Sequence, residues 1–467
     1  MTYDVAILGG GPGGYVAAIR VAQLGGKAIL VEKEQLGGVC LNRGCIPTKT
    51  LLNSAEKWRD LQHCQEFGLQ AGSIGFDFSQ IQARKERVVT QLRGGIEQLV
   101  KSHGIEVMFG RATLTGANTL TVNGRSGTER IEARNLIIAT GSLPQALPVA
   151  GAGLPGVLTS DDILNLPGVP RSLAVIGAGA VGLEFAAVYQ AFGAEVTVVE
   201  MQPSILPAVD GDLVKRMALI LRKQGLKLLN GTKVVSVAAE ENGLTLTLDN
   251  GRGLQELTVE KVLVATGRRP NCSELGLATA GVHFADRGIP VNDRMETNKK
   301  GIYAIGDVTG RFMWAHAASA AGIVAAENAM GQMSVLDFRA MPGCIFITPE
   351  IAMVGLREEE ARQQGYDILV SRFPFAANGK AVSMGQADGL VKVIAAAGDN
   401  KILGMHILGP HASDLIMEGA LAIRNGLTAR EIAHTIHPHP SLSETVMETA
   451  HGIDGDIIHQ LRLQRRQ

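Results

Sequence analysis

The sequence predicts an α/β chain made of two copies of one βαβ unit, followed by a smaller C-terminal α+β domain. Three observations carry that expectation. A buried-type strand at residues 5–8 runs into a glycine-rich turn, Gly9 to Gly14; a helical run over residues 15–24 follows, then a second strand at residues 28–31 that ends on Glu32. The same order returns later, with a strand at residues 174–176, the glycines Gly177, Gly179 and Gly182, a helix to about residue 192, and a strand at residues 196–199 that ends on Glu200. In both copies the acid follows the last glycine by the same 18 residues, and an apolar strand ending in Ala-Thr-Gly closes each copy later, at residues 136–141 and 262–267. Strand, glycine turn, helix and acid at that distance make a Rossmann-like dinucleotide fold, and two are expected.

The remaining elements fall around this duplication. At 467 residues the chain exceeds what one core supports, and about three domains are expected. Residues 1–148 form the first dinucleotide domain and residues 149–270 the second, separated by the Pro- and Gly-rich stretch 142–170. Residues 271–340, with a strand at 302–305 followed by Gly306 and Asp307, complete the first domain. Residues 341–467 carry no fingerprint; strand-like runs at 390–395 and 402–407 and a helical run at 414–425 read as the α+β domain. Within the first domain, residues 78–103 read as a helix whose apolar face is Val88, Leu92, Ile96 and Leu99.

Composition excludes several function classes. Apolar residues make up 46% and charged residues 19%, as in an ordinary globular protein. Lys+Arg 44 against Asp+Glu 45 leaves no net attraction for a phosphate backbone or an anionic membrane. Aromatics at 4% argue against a base-stacking nucleic-acid binder. Neither a signal-peptide pattern nor 18 uninterrupted apolar residues is visible. Five cysteines are too few for a disulfide scaffold and fit a cytoplasmic protein with one redox-active pair.

That pair is Cys40 and Cys45. Residues five apart in a regular helix are separated by ~7.5 Å of rise, and a disulfide needs Cα atoms within about 7 Å. If the two bridge, the segment is not one ideal helix; Gly44 supplies the freedom, and Pro47 suits the first turn of a following helix. Zinc is the rival reading of a close cysteine pair, but it needs about four ligands, and Cys64, Cys272 and Cys344 are isolated. No metal is expected.

The glycines let backbone N–H groups approach a pyrophosphate, and Glu32 and Glu200 would accept hydrogen bonds from ribose hydroxyls. A carboxylate at Glu200 repels a 2′-phosphate, and residues 201–206 offer no arginine, so NAD is favoured over NADP. Two nucleotide sites and a thiol pair imply a relay, with a flavin in the first site between NAD and the cysteines. Asp307 is a candidate for the flavin's ribityl and phosphate end, and Lys49 for anionic flavin or thiolate charge. The relay also needs a proton acceptor. His437-Pro-His439-Pro, with Glu444 five residues past His439, has the form of a carboxylate-oriented acid/base catalyst. His406, His411, His434 and His451 are expected to be structural.

Residues 37–49, Gly-Gly-Val-Cys-Leu-Asn-Arg-Gly-Cys-Ile-Pro-Thr-Lys, closely resemble the active-site disulfide signature of the pyridine nucleotide–disulfide oxidoreductases. Residues 13–20, 182–185 and 437–444 are most similar to the branch that oxidises dihydrolipoyl groups. The resemblance spans essentially the whole chain. It implies an FAD domain, an inserted NAD domain, a central segment and a C-terminal dimerisation domain. It also implies a homodimer in which the cysteines of one subunit meet His439 and Glu444 of the other. Cys40 would exchange with the dithiol, Cys45 would lie against the flavin as thiolate, and His439 would act as base. Flavin contacts are implied at Gly9, Gly11, Gly14, Glu32, Lys33, Lys49, Gly110, Thr140, Gly141, Ser142, Asp307 and Ala315. NAD contacts are implied at Gly177, Gly179, Gly182, Glu184, Glu200 and Gly267. Two positions depart from the family pattern: Ala317 stands where many relatives carry lysine, and Ser441 where threonine is usual.

The expected activity is therefore oxidation of protein-bound dihydrolipoamide by NAD, with the lipoyl group arriving on a partner protein of a 2-oxoacid dehydrogenase or glycine cleavage system. Alternatives are a related disulfide reductase and a non-catalytic flavoprotein subunit. A mercuric reductase would carry a cysteine pair near the C-terminus, and residues 458–467 have none. A glutathione reductase would want basic residues near Glu200, and the intact Cys40, Cys45, His439 and Glu444 speak against a non-catalytic subunit.

Overall fold

The computed structural model describes residues 2–460, so the last residues of the cysteine-free tail, 461–467, lie outside the described residues. The strand Thr2–Leu8 lies between two parallel neighbours, Ala28–Glu32 and Gly127–Ile138, with Ile7 opposite both Leu30 and Ile137. Parallel strands Glu106–Leu114 and Ile302–Ala304 extend the sheet on its two sides. Val5, Ala6, Ile7 and Leu8 are all at most 1% exposed, which is why the strand reads as an unbroken apolar run rather than an alternation.

The second copy repeats this order. Ser172–Ile176 lies between Glu195–Glu200 and Lys261–Val264, all parallel. In each sheet the glycine-bearing strand is central, flanked by the acid-bearing strand and the Ala-Thr-Gly strand. The residues just past the two Ala-Thr-Gly triplets then zip together: Ser142–Pro144 pairs antiparallel with Arg268–Pro270, Ser142 opposite Pro270. The C-terminal part forms a five-stranded antiparallel sheet in the order Gly343–Ile345, Glu350–Gly355, Ile402–Gly409, Leu390–Ala396, Ile368–Pro374, covered by helices Ala412–Asn425 and Glu444–His451. Among the described residues, no helix is long and apolar enough to cross a membrane.

The second copy is tied to the C-terminal sheet by a buried charge cluster. Lys392 Nζ, 2% exposed at its side chain, lies 2.8 Å from each of Asp210 Oδ1, Asp212 Oδ2 and Glu358 Oε2. Burial alone would lower the Lys392 pKa, and the three carboxylates overcome that and raise it.

One expectation is corrected. The helix Phe78–Ser102 buries Phe78, Lys85, Val89 and Val100, whereas Leu92 and Leu99 are 43% and 49% exposed. The inward stripe is turned by one residue because two polar side chains on it find partners. Lys85 Nζ donates to Leu164 O at 2.6 Å, and Arg93 Nε to Asn42 Oδ1 at 2.9 Å.

Candidate active site

Helix Gly38–Arg43 carries Cys40, and helix Cys45–Gln62 begins on Cys45. The break falls on Gly44 (φ −141°, ψ −108°), where a Cβ would sit 3.0 Å from Val39 O. The segment is two helices, the break that a bridge between the thiols would need. Both cysteines are free thiols, and each shifts the other's acidity. The hydrogen bond from Cys40, helped by the Lys49 charge, outweighs burial and brings Cys45 down to about 7. The same interaction with Cys45, together with burial, pushes Cys40 up. Cys45 is therefore the member of the pair that holds negative charge near neutral pH.

The two glycine turns are built alike. Gly9 (φ +110°) approaches the end of the Ala-Thr-Gly strand so closely that a Cβ would lie 2.3 Å from Ala139 O, and one on Gly14 would lie 1.8 Å from Gly9 O. In the second copy, a Cβ on Gly177 (φ +105°) would lie 2.5 Å from Ala265 O, and one on Gly182 2.1 Å from Gly177 O. Glu32 accepts the N–H of Gly10 at 2.7 Å and of Glu34 at 2.8 Å; Glu200 accepts the N–H of Ala178 at 2.7 Å and of Gln202 at 2.8 Å. Each acid thus staples its own turn and keeps lone pairs free for a ribose.

A cavity of about 630 Å³ connects the first turn to the cysteines. Gly9, Gly11, Glu32 and Lys33 line one region and Cys40, Cys45 and Lys49 another. Gly110, Thr140, Gly141, Ser142, Asp307 and Ala315 are also in the wall. Of the expected flavin set only Gly14 is absent from the wall, lying beneath Gly9. The size is that of a cofactor pocket, and a Cβ on Gly11 would meet nothing nearer than Gly38 Cα at 3.8 Å, so the turn is open to a phosphate. Burial pushes the Asp307 carboxyl up; Ser142 Oγ donates to it at 2.5 Å and in turn accepts from Arg268 Nε at 2.7 Å. These residues fit an FAD. Sequence reading missed Arg268 and Asn271, which also line the wall; their signal was a basic and polar run directly after the second Ala-Thr-Gly.

The second turn, with Gly177, Gly179, Gly182, Glu200 and Gly267, is outside that wall, but the helix it opens, Ala180–Ala191, sends Val181, Glu184 and Phe185 into it. Glu184 is 4% exposed. Lys49 Nζ donates to both its oxygens, at 2.9 and 2.7 Å, and the Phe346 N–H donates at 3.1 Å. Lys49 is thus held in a defined pair at the cavity wall.

His439 Nδ1 lies 2.8 Å from Glu444 Oε1, and Glu444 Oε2 accepts the Ser441 N–H at 2.8 Å. Burial pushes Glu444 up, but the Ser441 N–H and His439 outweigh it and hold the carboxyl below its usual range. Ser441 acts here through its backbone, so serine in place of threonine leaves the contact intact. His439 is 80% exposed at its side chain, and neither it nor Glu444 lines the cavity of its own chain. His437 differs: Nδ1 meets Thr435 O at 2.7 Å and Nε2 meets Glu418 Oε2 at 3.0 Å, so both nitrogens are engaged. Glu418 was not foreseen, lying 19 residues from its partner. His406 is buried against Leu356 O, His411 lies 3.5 Å from Asp414, and the rings of His434 and His451 lie 6.0 Å apart, all away from the cavity wall.

Residues 3–322 match the family profile described as pyridine nucleotide-disulphide oxidoreductase, and residues 341–450 match that family's dimerisation domain. The chain belongs to the pyridine nucleotide–disulphide oxidoreductases. It is 45% identical to the dihydrolipoyl dehydrogenase of Thermus scotoductus, covering 98% of this chain and 99% of that one. With a dihydrolipoyl dehydrogenase of Bacillus subtilis it shares 41% over the same fractions. Among solved structures, LpdA of Mycobacterium tuberculosis superposes with TM-score 0.90 at 28% identity, covering 96% of this chain and 99% of that one. The HOCl-induced flavoprotein disulfide reductase RclA of Escherichia coli superposes with TM-score 0.85 at 29% identity, with the same coverage. The dihydrolipoyl dehydrogenase branch uses FAD and NAD.

Proposed function

We propose that this chain is an FAD-dependent dihydrolipoyl dehydrogenase, oxidising protein-bound dihydrolipoamide and reducing NAD to NADH. The observation that carries the reading is the cysteine pair in the cavity beside the first glycine turn, with Cys45 the more acidic thiol and the second nucleotide fold reaching the same wall through Glu184. The full-length relatives of the same name support it.

In the oxidised enzyme Cys40 and Cys45 share a disulfide. One substrate thiolate attacks Cys40 Sγ, and Cys45 leaves as a thiolate, its charge supported by Lys49. The second substrate thiol attacks the sulfur bonded to Cys40, so the substrate departs as cyclic lipoamide disulfide and Cys40 regains a thiol. Two electrons remain on the cysteine pair. His439, oriented by Glu444, takes the protons the substrate thiols release. Bound FAD supplies a two-electron carrier between the cysteine pair and NAD. Glu200 holds the NAD ribose and disfavours a 2′-phosphate.

We assign residues 1–148 with 271–340 to the FAD domain, 149–270 to the NAD domain and 341–467 to the dimerisation domain. His439 is exposed and does not line its own chain's cavity; we take the working enzyme to be a homodimer in which it serves the partner's cysteines. A lipoyl-bearing protein in the cytoplasm is the physiological substrate.

The purified holoenzyme should form NADH from free dihydrolipoamide and NAD, with NAD preferred over NADP by at least ~10-fold in kcat/KM. NADPH oxidation by glutathione disulfide without NADH formation from dihydrolipoamide would replace this reading with that of a related disulfide reductase.

A further inference from the structure

Lys49 and Glu184 are held together by a third residue, from a different part of the chain. Phe346 follows the strand Gly343–Ile345 of the C-terminal sheet. Its N–H donates to Glu184 Oε1 at 3.1 Å, and Lys49 Nζ lies 4.6 Å from the centroid of its ring. The ammonium therefore sits between a buried carboxylate and an aromatic face.

We propose that Phe346 is a positioning residue: its ring holds the Lys49 ammonium beside Cys45, and its N–H holds the Glu184 carboxylate that completes the arrangement. The inference rests on the reading of Cys45 as the flavin-side thiolate and deepens it. Lys49 is four residues past Cys45 in the helix Cys45–Gln62, so the two share a face. Lysine is a long side chain with many rotamers, and this one is still 33% exposed, so Glu184 alone leaves it room to swing toward solvent. The face of an aromatic ring attracts a cation at this distance and restricts that swing.

The charges around Cys45 make the position consequential. Cys40, on the helix Gly38–Arg43, and Lys49, on its own helix, favour its anion, and Glu184 opposes the anion from the helix Ala180–Ala191. Cys344, next to Ile345 in the neighbouring strand, is pushed up by burial and by Glu350, and Lys49 opposes that shift. If Lys49 moves away, the buried Glu184 carboxylate becomes the dominant charge, and the Cys45 thiolate is disfavoured.

The test uses the two-electron-reduced holoenzyme, following its long-wavelength charge-transfer absorbance against pH. Phe346→Leu and Phe346→Met both remove the ring and keep the backbone N–H; the second is the closer match in length should the first pack badly. In each, the midpoint at which the band appears should rise by roughly half a pH unit. Phe346→Tyr keeps an aromatic face and should return the wild-type midpoint. A wild-type midpoint in the ring-less variants, or a Tyr variant shifted as far as they are, would overturn the role given to the ring. A wild-type enzyme with no such band would instead remove the thiolate reading of Cys45, and this role with it.

Discussion

The thiol pair and the imidazole–carboxylate pair are built in opposite ways. Cys40 and Cys45 lie in the wall of a cavity that their own chain encloses, with Lys49 and Glu184 converging from two folds. His439 has its carboxylate behind it at 2.8 Å and solvent in front, its side chain 80% exposed. The neighbouring His437, only 6% exposed at its side chain, has both nitrogens engaged. A histidine oriented from behind and open in front is half of a site; a thiol pair enclosed against a nucleotide turn is the other half. In the homodimer proposed above, the contrast separates the work assigned to one subunit, exchanging electrons between the cysteines and its nucleotides, from the work assigned to a second copy, moving the substrate's protons.

That separation can be broken by substitution. Cys45→Ser should reduce dihydrolipoamide oxidation to the uncatalysed background, since the leaving thiolate is gone. His439→Gln should cost about 10²–10⁴-fold in kcat, the range of a positioned proton acceptor. Glu444→Gln should cost about 10–100-fold, the worth of one charge-assisted hydrogen bond. All three should still show flavin bleaching by NADH under anaerobic conditions, because none touches the second fold. Loss of bleaching in His439→Gln would join the two halves that the account keeps apart.

The scaffold beneath the comparison can be tested through Lys392, which ties the second fold to the sheet that presents His439. Lys392→Met leaves three carboxylates without their buried cation and should lower unfolding stability by about 3–5 kcal/mol, measured by denaturant titration. Burial pushes Asp210 and Asp212 up, but Lys392 and its companions hold both below their usual values; at Glu358 the Lys392 hydrogen bond leads, with the same result. These depressed carboxyls contribute stability above their unfolded pKa values of about 4, and that contribution is lost as pH falls through the lower folded values. The wild-type enzyme should therefore lose stability steeply below about pH 4, and Lys392→Met should show a shallower acid dependence.

Much of this was legible in the residues because the physics was local. The staples from Glu32 and Glu200 to their own turns, the two-helix break at Gly44 and the His439–Glu444 contact each depend on spacings of 22 residues or fewer. What escaped the sequence depends on partners far along the chain. Lys85 and Arg93 lie on the inward side of their helix because Leu164 O and Asn42, far along the chain, accept their hydrogen bonds, which a count of apolar residues does not register. Lys392 stands in an otherwise apolar strand, Leu390–Ala396, and that isolation was a usable sign of a buried charge. Phe346 carried no signal, since its role exists only where three parts of the chain meet.

The most direct test of the two-half account is complementation between inactive homodimers. Cys40→Ala and His439→Gln, each nearly inactive alone, are unfolded together in equal amounts and refolded. If Cys40 works with His439 of the partner subunit, each mixed dimer carries one site with both lesions and one with neither. Random pairing makes about half the dimers mixed, so roughly a quarter of wild-type activity should return. Activity that remains at the level of the two parents, with mixed dimers shown to have formed, would contradict the account and place the whole site within one subunit.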